Sequence, residues 1–532
     1  MQTPPTVSSR RGVVAGPNAL TAAAGRGALA AGGHAADAAL AMAAMSAVTM
    51  PQMCGLGGDA FALVAEPGAD VVSFNGSGPA PAAASVERLR AGGHEQMPFT
   101  GWWSVAVPGA LGVYLALHER YGRLPLAGLW APAIASARDG FAIDARLSND
   151  VAAGAELLRA DAAAAAVHLA AGAAPPPGTV LRNPDLAAAL EEVVAHGDIV
   201  SGGRLADLIG AAATEAGALL VGSDLSQGVT AVGPPLAASY GDAVVCSNPL
   251  PSQGVILLEM LSLLDGFALP SGDLLSAQTL HLLIEVKQLA YDDRNALLGD
   301  PRFVPFPAEQ LLSPEFIATR RRDLRDSALP GAAGLGGDDT TSFVAVDRDG
   351  NAVSFIHSIS ALWGSGVMAP GTGFLLNNRA GRSFVLDERH PNCLAPGKLP
   401  MHTLHAYVAR HRTTGDLLLA GNTPGGDGQP QWNLQVLLHL LHGGADLTGA
   451  AAAPRWTSLP GTDPITLSTP PRVVLESRFP TAAVAGLRAM GHDVAVTSAY
   501  GSGGSAMLAR TGPAAVPEAA ADPRDGGQAL AV

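Results

Sequence analysis

A threonine held at the start of a strand can attack the peptide bond that precedes it. The run Asp339-Thr340-Thr341-Ser342-Phe343-Val344-Ala345-Val346 carries the residues for that reaction. The Thr340 hydroxyl adds to the Asp339 carbonyl, the acyl group moves from nitrogen to oxygen, and water hydrolyses the resulting ester. The product is a chain that begins at Thr340, with its α-amine beside its own hydroxyl. An α-amino group titrates near ~7.7 to 8.0, well below a lysine, so it can act as base for that hydroxyl. Asp339 and Thr340 are therefore the expected cleavage pair, and Thr340 the expected nucleophile. A Thr-Thr pair after two aspartates is also what the start of an ordinary strand looks like, and the rest of the chain must decide between the two.

The elements that would position Thr340 are legible around it. A glycine-rich run from Gly331 to Gly337 precedes it, and the apolar stretch from Phe343 to Val346 ends at Asp349-Gly350-Asn351. That order reads as loop, strand, hairpin turn and second strand, the last over 352–358. A further strand is expected near 417–420 and a helix near 432–442. Earlier in the chain, Gly12-Val13-Val14-Ala15 reads as a strand, followed by Ala-rich helices broken at Gly32-Gly33 and two strand-like runs over 60–66 and 70–74. From Pro125 to about Gly299 the spacing of Leu, Ala and Ile predicts mainly helix.

Composition narrows the class. The chain has 532 residues, 48% hydrophobic and 15% charged, which is the balance of a well-buried globular protein. A net charge of −14 argues against nucleic acid or an anionic membrane as partner, and no run of the sequence resembles a basic patch. The three cysteines, Cys54, Cys246 and Cys393, are far apart and suggest neither a disulfide framework nor a metal site. Neither a signal-peptide core nor a membrane span is evident, so a cytoplasmic setting is expected. His402 and His405, like His439 and His442, have a spacing that a metal accepts, but no carboxylate motif accompanies them, so no metal and no cofactor is expected.

Several ordered motifs then carry a resemblance. They include Gly32-Gly33-His34-Ala35-Ala36-Asp37, Pro51-Gln52 with Gly55-Leu56-Gly57-Gly58, and Tyr121-Gly122-Arg123-Leu124-Pro125-Leu126. They continue through Pro249-Leu250-Pro251-Ser252-Gln253-Gly254, Ala290-Tyr291-Asp292-Asp293-Arg294, Leu376-Asn377-Asn378, Thr423-Pro424-Gly425-Gly426, Ala453-Pro454-Arg455 and Asp522-Pro523-Arg524. From about Val13 to Arg524 the chain resembles the γ-glutamyltransferase family of N-terminal-nucleophile hydrolases. The resemblance implies a four-layer αββα sandwich, matured by autocleavage into a large subunit, 1–339, and a small subunit, 340–532, that stay together around one core. It also implies that the N–H groups of Gly425 and Gly426 receive the oxyanion. Ser358 stands where the family has a threonine whose hydroxyl orients the nucleophile, and Thr341 is expected to help hold the new N-terminus.

The substrate pocket is where the chain departs from the family. The arginine that holds a glutamyl α-carboxylate is replaced by Asn75, and the glutamine and aspartate that hold the α-ammonium are replaced by Arg379 and Arg382. The family's Ser-Ser pair becomes His402-Thr403. Two permanent cations repel an ammonium and attract a carboxylate, so the expected substrate is a small-molecule amide with an anionic acyl group. Candidates are oxamate-type acids and dicarboxylic acyl groups such as glutaryl; the loops at Asn75 and His402 look more like the oxamate-amidohydrolase branch. A γ-glutamyl hydrolase or transferase, a non-catalytic scaffold and a metal-dependent amidase using His402 and His405 are the competing readings. A homo-oligomer is compatible with the sequence.

Overall fold

The computed structural model describes residues 4–197, 202–226, 230–267, 269, 273–327, 340–462, 464, 471–512 and 515–532. Asp339, the predicted acyl side of the cleavage bond, lies outside the described residues.

Two seven-stranded antiparallel sheets form the centre. In spatial order one contains Gln528–Ala531, Gly12–Gly16, Thr341–Asp347, Ala352–Ser358, Asp59–Ala65, Val72–Gly76 and Ala231–Gly233. The other contains Val7–Ser8, Pro517–Ala521, Met507–Thr511, Leu417–Asn422, Tyr407–His411, Ala243–Ser247 and Leu236–Tyr240. The alternation of side chains along each strand sends one set of residues between the sheets and the other set outward. Val344, Val346, Ile356, Phe61 and Leu63 from the first sheet meet Val408, Ala420, Met507 and Ala509 from the second in one buried layer. On its outer face the first sheet is covered by helices that include Ala19–Ala30, Ala35–Thr49, Ala110–Tyr121 and Leu126–Asp139. The second is covered by Gly254–Leu264, Ala277–Leu297 and Gln429–Leu441. The result is the expected αββα sandwich, and both sheets draw strands from either side of position 340.

The hairpin that carries Thr340 is closed as its sequence suggests. Asp347 Oδ1 accepts the N–H groups of Asp349 and Asn351, and Gly350 adopts φ +84, which glycine meets without strain. Asp347 Oδ2 also takes the Ala35 N–H at 3.1 Å, so a carboxylate caps the positive end of the fully buried Ala35–Thr49 helix. The hairpin is thus pinned to the helix layer behind it.

The stretch from Pro125 to Gly299 is mainly helical, as expected, but not wholly so. Among the described residues five strands interrupt it: the short pair Phe141–Ala142 and Val180–Leu181, and then Ala231–Gly233, Leu236–Tyr240 and Ala243–Ser247. Leu236, Ala238 and Tyr240 are buried while Ala237 and Ser239 face out, the period of a half-covered strand. Alanine, a weak strand former, masks that period in a helix-rich context. Among the described residues no helix is long and apolar enough to cross a membrane.

Candidate functional site

Strand register alone brings the first residues together. Thr341 pairs with His357, so the same ladder carried one step further sets Thr340 opposite Ser358. Ser358 in turn pairs with Asp59 on the next strand. Phe343 and Ala345 belong to the helix-facing core and Val344 and Val346 to the layer between the sheets, so even-numbered positions of this strand face the second sheet. Thr340, Ser358 and Asp59 lie on that same face at one end of the sheet. The Thr340 hydroxyl donates to Ser358 Oγ at 3.4 Å and is 3% exposed. Ser358 Oγ also accepts the Ser360 N–H at 2.8 Å. Ser360 has φ +85, a strained conformation for a residue with a side chain, and it turns the chain immediately beyond Ser358.

Thr341 points the other way. Its hydroxyl lies 3.9 Å from the Met50 sulfur, in the helix layer. Behind it His357 joins Tyr114 and Ser46, at 2.7 and 3.0 Å, and burial pushes the His357 pKa down to about 3, so the ring is neutral.

Arg379 and Arg382 stand on the short helix Arg379–Ser383 and both turn inward. Arg382 Nη1 donates to the Ser360 carbonyl at 3.0 Å, and a Cβ built on Gly426 would lie 2.5 Å from Arg382 Nη2. Arg382 thus links the nucleophile end of one sheet to the glycine turn of the other. Arg379 Nε meets Asp59 Oδ2 at 3.1 Å, and its Nη1 donates to Thr403 Oγ1 at 3.2 Å. His402 Nε2 lies 3.1 Å from the same Asp59 Oδ2. Its Nδ1 accepts the Leu404 N–H, so the proton sits on Nε2. Burial, reinforced by the Arg379 charge, lowers the His402 pKa to about 4 and keeps the ring neutral. Burial opposes ionisation of Asp59, but His402, Arg379 and the Gly78 N–H together outweigh it and hold the carboxyl below its usual range. The cluster thus holds two guanidinium cations and a neutral imidazole around the Asp59 carboxylate.

Gly425 and Gly426 follow the Leu417–Asn422 strand of the second sheet and open the turn into helix Gln429–Leu441. Their φ values are +108 and +47, the conformations expected of a Pro-Gly-Gly turn that presents bare backbone. Gln253 Nε2 bridges the Gly426 carbonyl, at 3.0 Å, and the Thr403 carbonyl, at 2.6 Å, tying the glycine turn to the His402-Thr403 loop.

Among the described residues, the site candidates named from the sequence fall into one connected cluster, with two exceptions. Asn75 turns its amide toward its own loop: Oδ1 accepts the Ser77 N–H at 3.0 Å and Nδ2 approaches the Leu250 carbonyl at 3.4 Å. Thr341 lies behind the sheet. Asp59, Gln253 and Ser360 were not singled out, although Asp59 was signalled by alternation, because a strand that buries Phe61, Leu63 and Ala65 between the sheets places Asp59 on their face. His402 and His405 diverge, the second reaching Asn433 at 2.8 Å. The described residues contain no group of three metal-binding side chains.

The four-layer sandwich is that of an N-terminal-nucleophile amidohydrolase. The gamma-glutamyltranspeptidase family model matches residues 21–532, and the chain belongs to that family. It is 34% identical to the oxamate amidohydrolase proenzyme of Klebsiella pneumoniae subsp. pneumoniae, over 98% of each protein. It is 32% identical to the glutathione hydrolase-like YwrD proenzyme of Bacillus subtilis, over 85% of this chain and 86% of that protein. The crystal structure of a cephalosporin acylase from Bacillus halodurans superposes with a TM-score of 0.92 at 32% identity, covering 100% of this chain and 98% of the other.

Proposed function

We propose that the protein is a self-processing threonine-nucleophile amidohydrolase that hydrolyses the amide of a small, singly anionic acyl group of the oxamate type. The observation that carries the reading is the placement of the Thr340 hydroxyl against Ser358, on the face that meets the Gly425-Gly426 turn, with Arg382 between them. Thr340 first cleaves the Asp339–Thr340 bond, which creates the large subunit 1–339 and the small subunit 340–532. Its hydroxyl then attacks the substrate carbonyl while its α-amine takes the proton, and the Gly425 and Gly426 N–H groups receive the oxyanion. Collapse of the tetrahedral species expels ammonia, which carries the returned proton. Water then cleaves the acyl ester and frees the second carboxylate, regenerating Thr340.

The charge of the surroundings supports the acyl preference. Arg379 and Arg382 are permanent cations, which attract a carboxylate and repel the ammonium of a glutamyl head. The name of the Klebsiella relative points the same way, and the proenzyme names of both curated relatives accord with self-cleavage. Asn75 and Thr341 are assigned supporting roles: Asn75 shapes the pocket loop, and Thr341 fixes the strand that carries the new N-terminus.

The test has two parts. Intact-mass analysis should find two pieces divided before Thr340 in the purified protein and one uncut chain in Thr340→Ala. Hydrolysis of oxamate, glutaryl-p-nitroanilide and γ-glutamyl-p-nitroanilide should be fastest for oxamate and absent in Thr340→Ala. Turnover by an uncut chain, or turnover of the γ-glutamyl compound alone, would refute the reading.

A further inference from the structure

The Ala290-Tyr291-Asp292-Asp293-Arg294 motif has no part in the site described so far, yet its helix reaches the glycine turn. One face of Ala277–Leu297 carries Lys287, Gln288, Tyr291 and Arg294, and each holds the segment from Ser458 to Thr462 or the turn itself. Lys287, fully buried, donates Nζ to the Pro460 carbonyl at 2.5 Å and lies 4.1 Å from the Tyr291 ring centre. Gln288 Nε2 donates to the Leu459 carbonyl at 3.1 Å, and Arg294 Nη1 to the Thr462 carbonyl at 3.0 Å. Thr462 then grips Asp427: its N–H reaches Oδ2 at 2.8 Å and its hydroxyl donates to Oδ1. Gly461 is part of the same grip, since a Cβ there would fall 2.1 Å from Asp427 Oδ2. The Tyr291 hydroxyl donates to the Asp427 carbonyl directly.

Asp427 follows Gly426 and is the middle residue of the turn Gly426–Gly428. The Gly425 carbonyl accepts the Gly428 N–H at 2.9 Å. A trans peptide is planar, with its C=O and N–H opposed, so fixing the Gly425 carbonyl toward Gly428 aims the Gly426 N–H the other way. Whatever holds Asp427 and Gly428 in place therefore sets the direction of the Gly426 donor.

We propose that Tyr291 and Thr462 are positioning residues that aim the Gly425-Gly426 donors by clamping Asp427, with Lys287, Gln288 and Arg294 holding the second jaw of the clamp. This rests on the proposed role of Gly425 and Gly426 at the oxyanion. The clamp touches no substrate atom. Its effect is confined to the transition state, where the oxyanion forms, and is absent from ground-state binding. Loss of a complete oxyanion donor costs about 10²–10³ in kcat, so a misaimed donor should cost about 10-fold.

The test uses the matured protein with oxamate, and with glutaryl-p-nitroanilide as a second probe. Tyr291→Phe removes only the hydroxyl, and Thr462→Val removes only the Oγ1 donor at nearly constant volume. Each should lower kcat about 10-fold while KM stays within about twofold and intact mass shows complete processing. Thr462→Ser, which restores the donor, should recover most of the wild-type kcat. Thr462→Val and its serine rescue decide the matter if Tyr291→Phe fails to fold. The inference is overturned if Tyr291→Phe and Thr462→Val keep wild-type kcat, or if KM rises while kcat holds. A Thr340→Ala control separates the two levels: loss of all turnover there, beside wild-type Tyr291→Phe and Thr462→Val, sinks the clamp alone. Turnover by Thr340→Ala removes the catalytic reading and the clamp with it.

Discussion

Asp59→Asn is the sharpest probe of the electrostatics beneath the pocket. Asp59, Arg379 and His402 are each fully buried, and Asp59 Oδ2 stands 3.1 Å from both of its partners. Asparagine keeps the shape and the oxygen that accepts the Gly78 N–H, but it removes the negative charge that faces Arg379. Removing one member of a buried ion pair costs about 3–5 kcal/mol, because the remaining charge loses its compensation in a medium that solvates it poorly. The Arg379→Gln, Asp59→Asn double variant carries neither charge and should recover at least about 2 kcal/mol of that loss. Urea midpoints measured in a Thr340→Ala background keep every variant in one chain. The depressed Asp59 pKa adds a pH signature. A carboxyl titrating lower in the folded state contributes stability above its unfolded value, about 3.9, and loses it as pH falls through the folded value. The gap between wild type and Asp59→Asn should therefore be constant from neutral pH down to about 4 and narrow below. A cost under about 1 kcal/mol, or a double variant no more stable than Asp59→Asn, would refute the view that this pair governs the charge of the pocket.

Two further outcomes follow from the same geometry. Burial pushes the Lys287 pKa down to about 7, with Asp427 and Asp292 opposing the shift, so between about pH 7 and 10.4 the unfolded chain binds a proton that the folded chain does not. Wild-type stability should rise across that window relative to Lys287→Met, by about 2 kcal/mol between pH 7 and 9, and melts at the two pH values measure it; a gap that does not change with pH disproves the burial effect. Gly426→Ala places a Cβ 2.5 Å from Arg382 Nη2 at φ +47, so it should process and fold yet lose at least about 10-fold in kcat/KM on oxamate, read by ammonia release.

Local signals carried much of this site and long-range ones carried little. The turn Asp349-Gly350-Asn351 fixes the hairpin register, and that register sets Thr340 opposite Ser358, so their proximity follows from a dozen neighbouring residues. The strand over 417–420 is found as Leu417–Asn422 and the helix over 432–442 as Gln429–Leu441, each within three residues, because apolar periodicity is a local property. Alternation places Asp59 on the inner face, but its role is hidden for the opposite reason. It ends a glycine run that reads as a turn, and the arginine that gives it meaning lies 320 residues away. Gln253 likewise acquires its role only from two carbonyls more than 100 residues distant. The Leu236–Tyr240 strand was lost because alanine suits a helix better than a sheet, and only pairing with Ala243–Ser247 settles its state.

The strand Thr341–Asp347 lies between Gly12–Gly16 and Ala352–Ser358, and Tyr407–His411 lies between Ala243–Ser247 and Leu417–Asn422. A cut ahead of Thr340 therefore leaves each piece threaded through both sheets of the other. Such pieces share no interface that can open while both stay folded, so mass action has no bound and free forms to balance. Dilution should not part them at any concentration, and their separation is governed by the rate of unfolding.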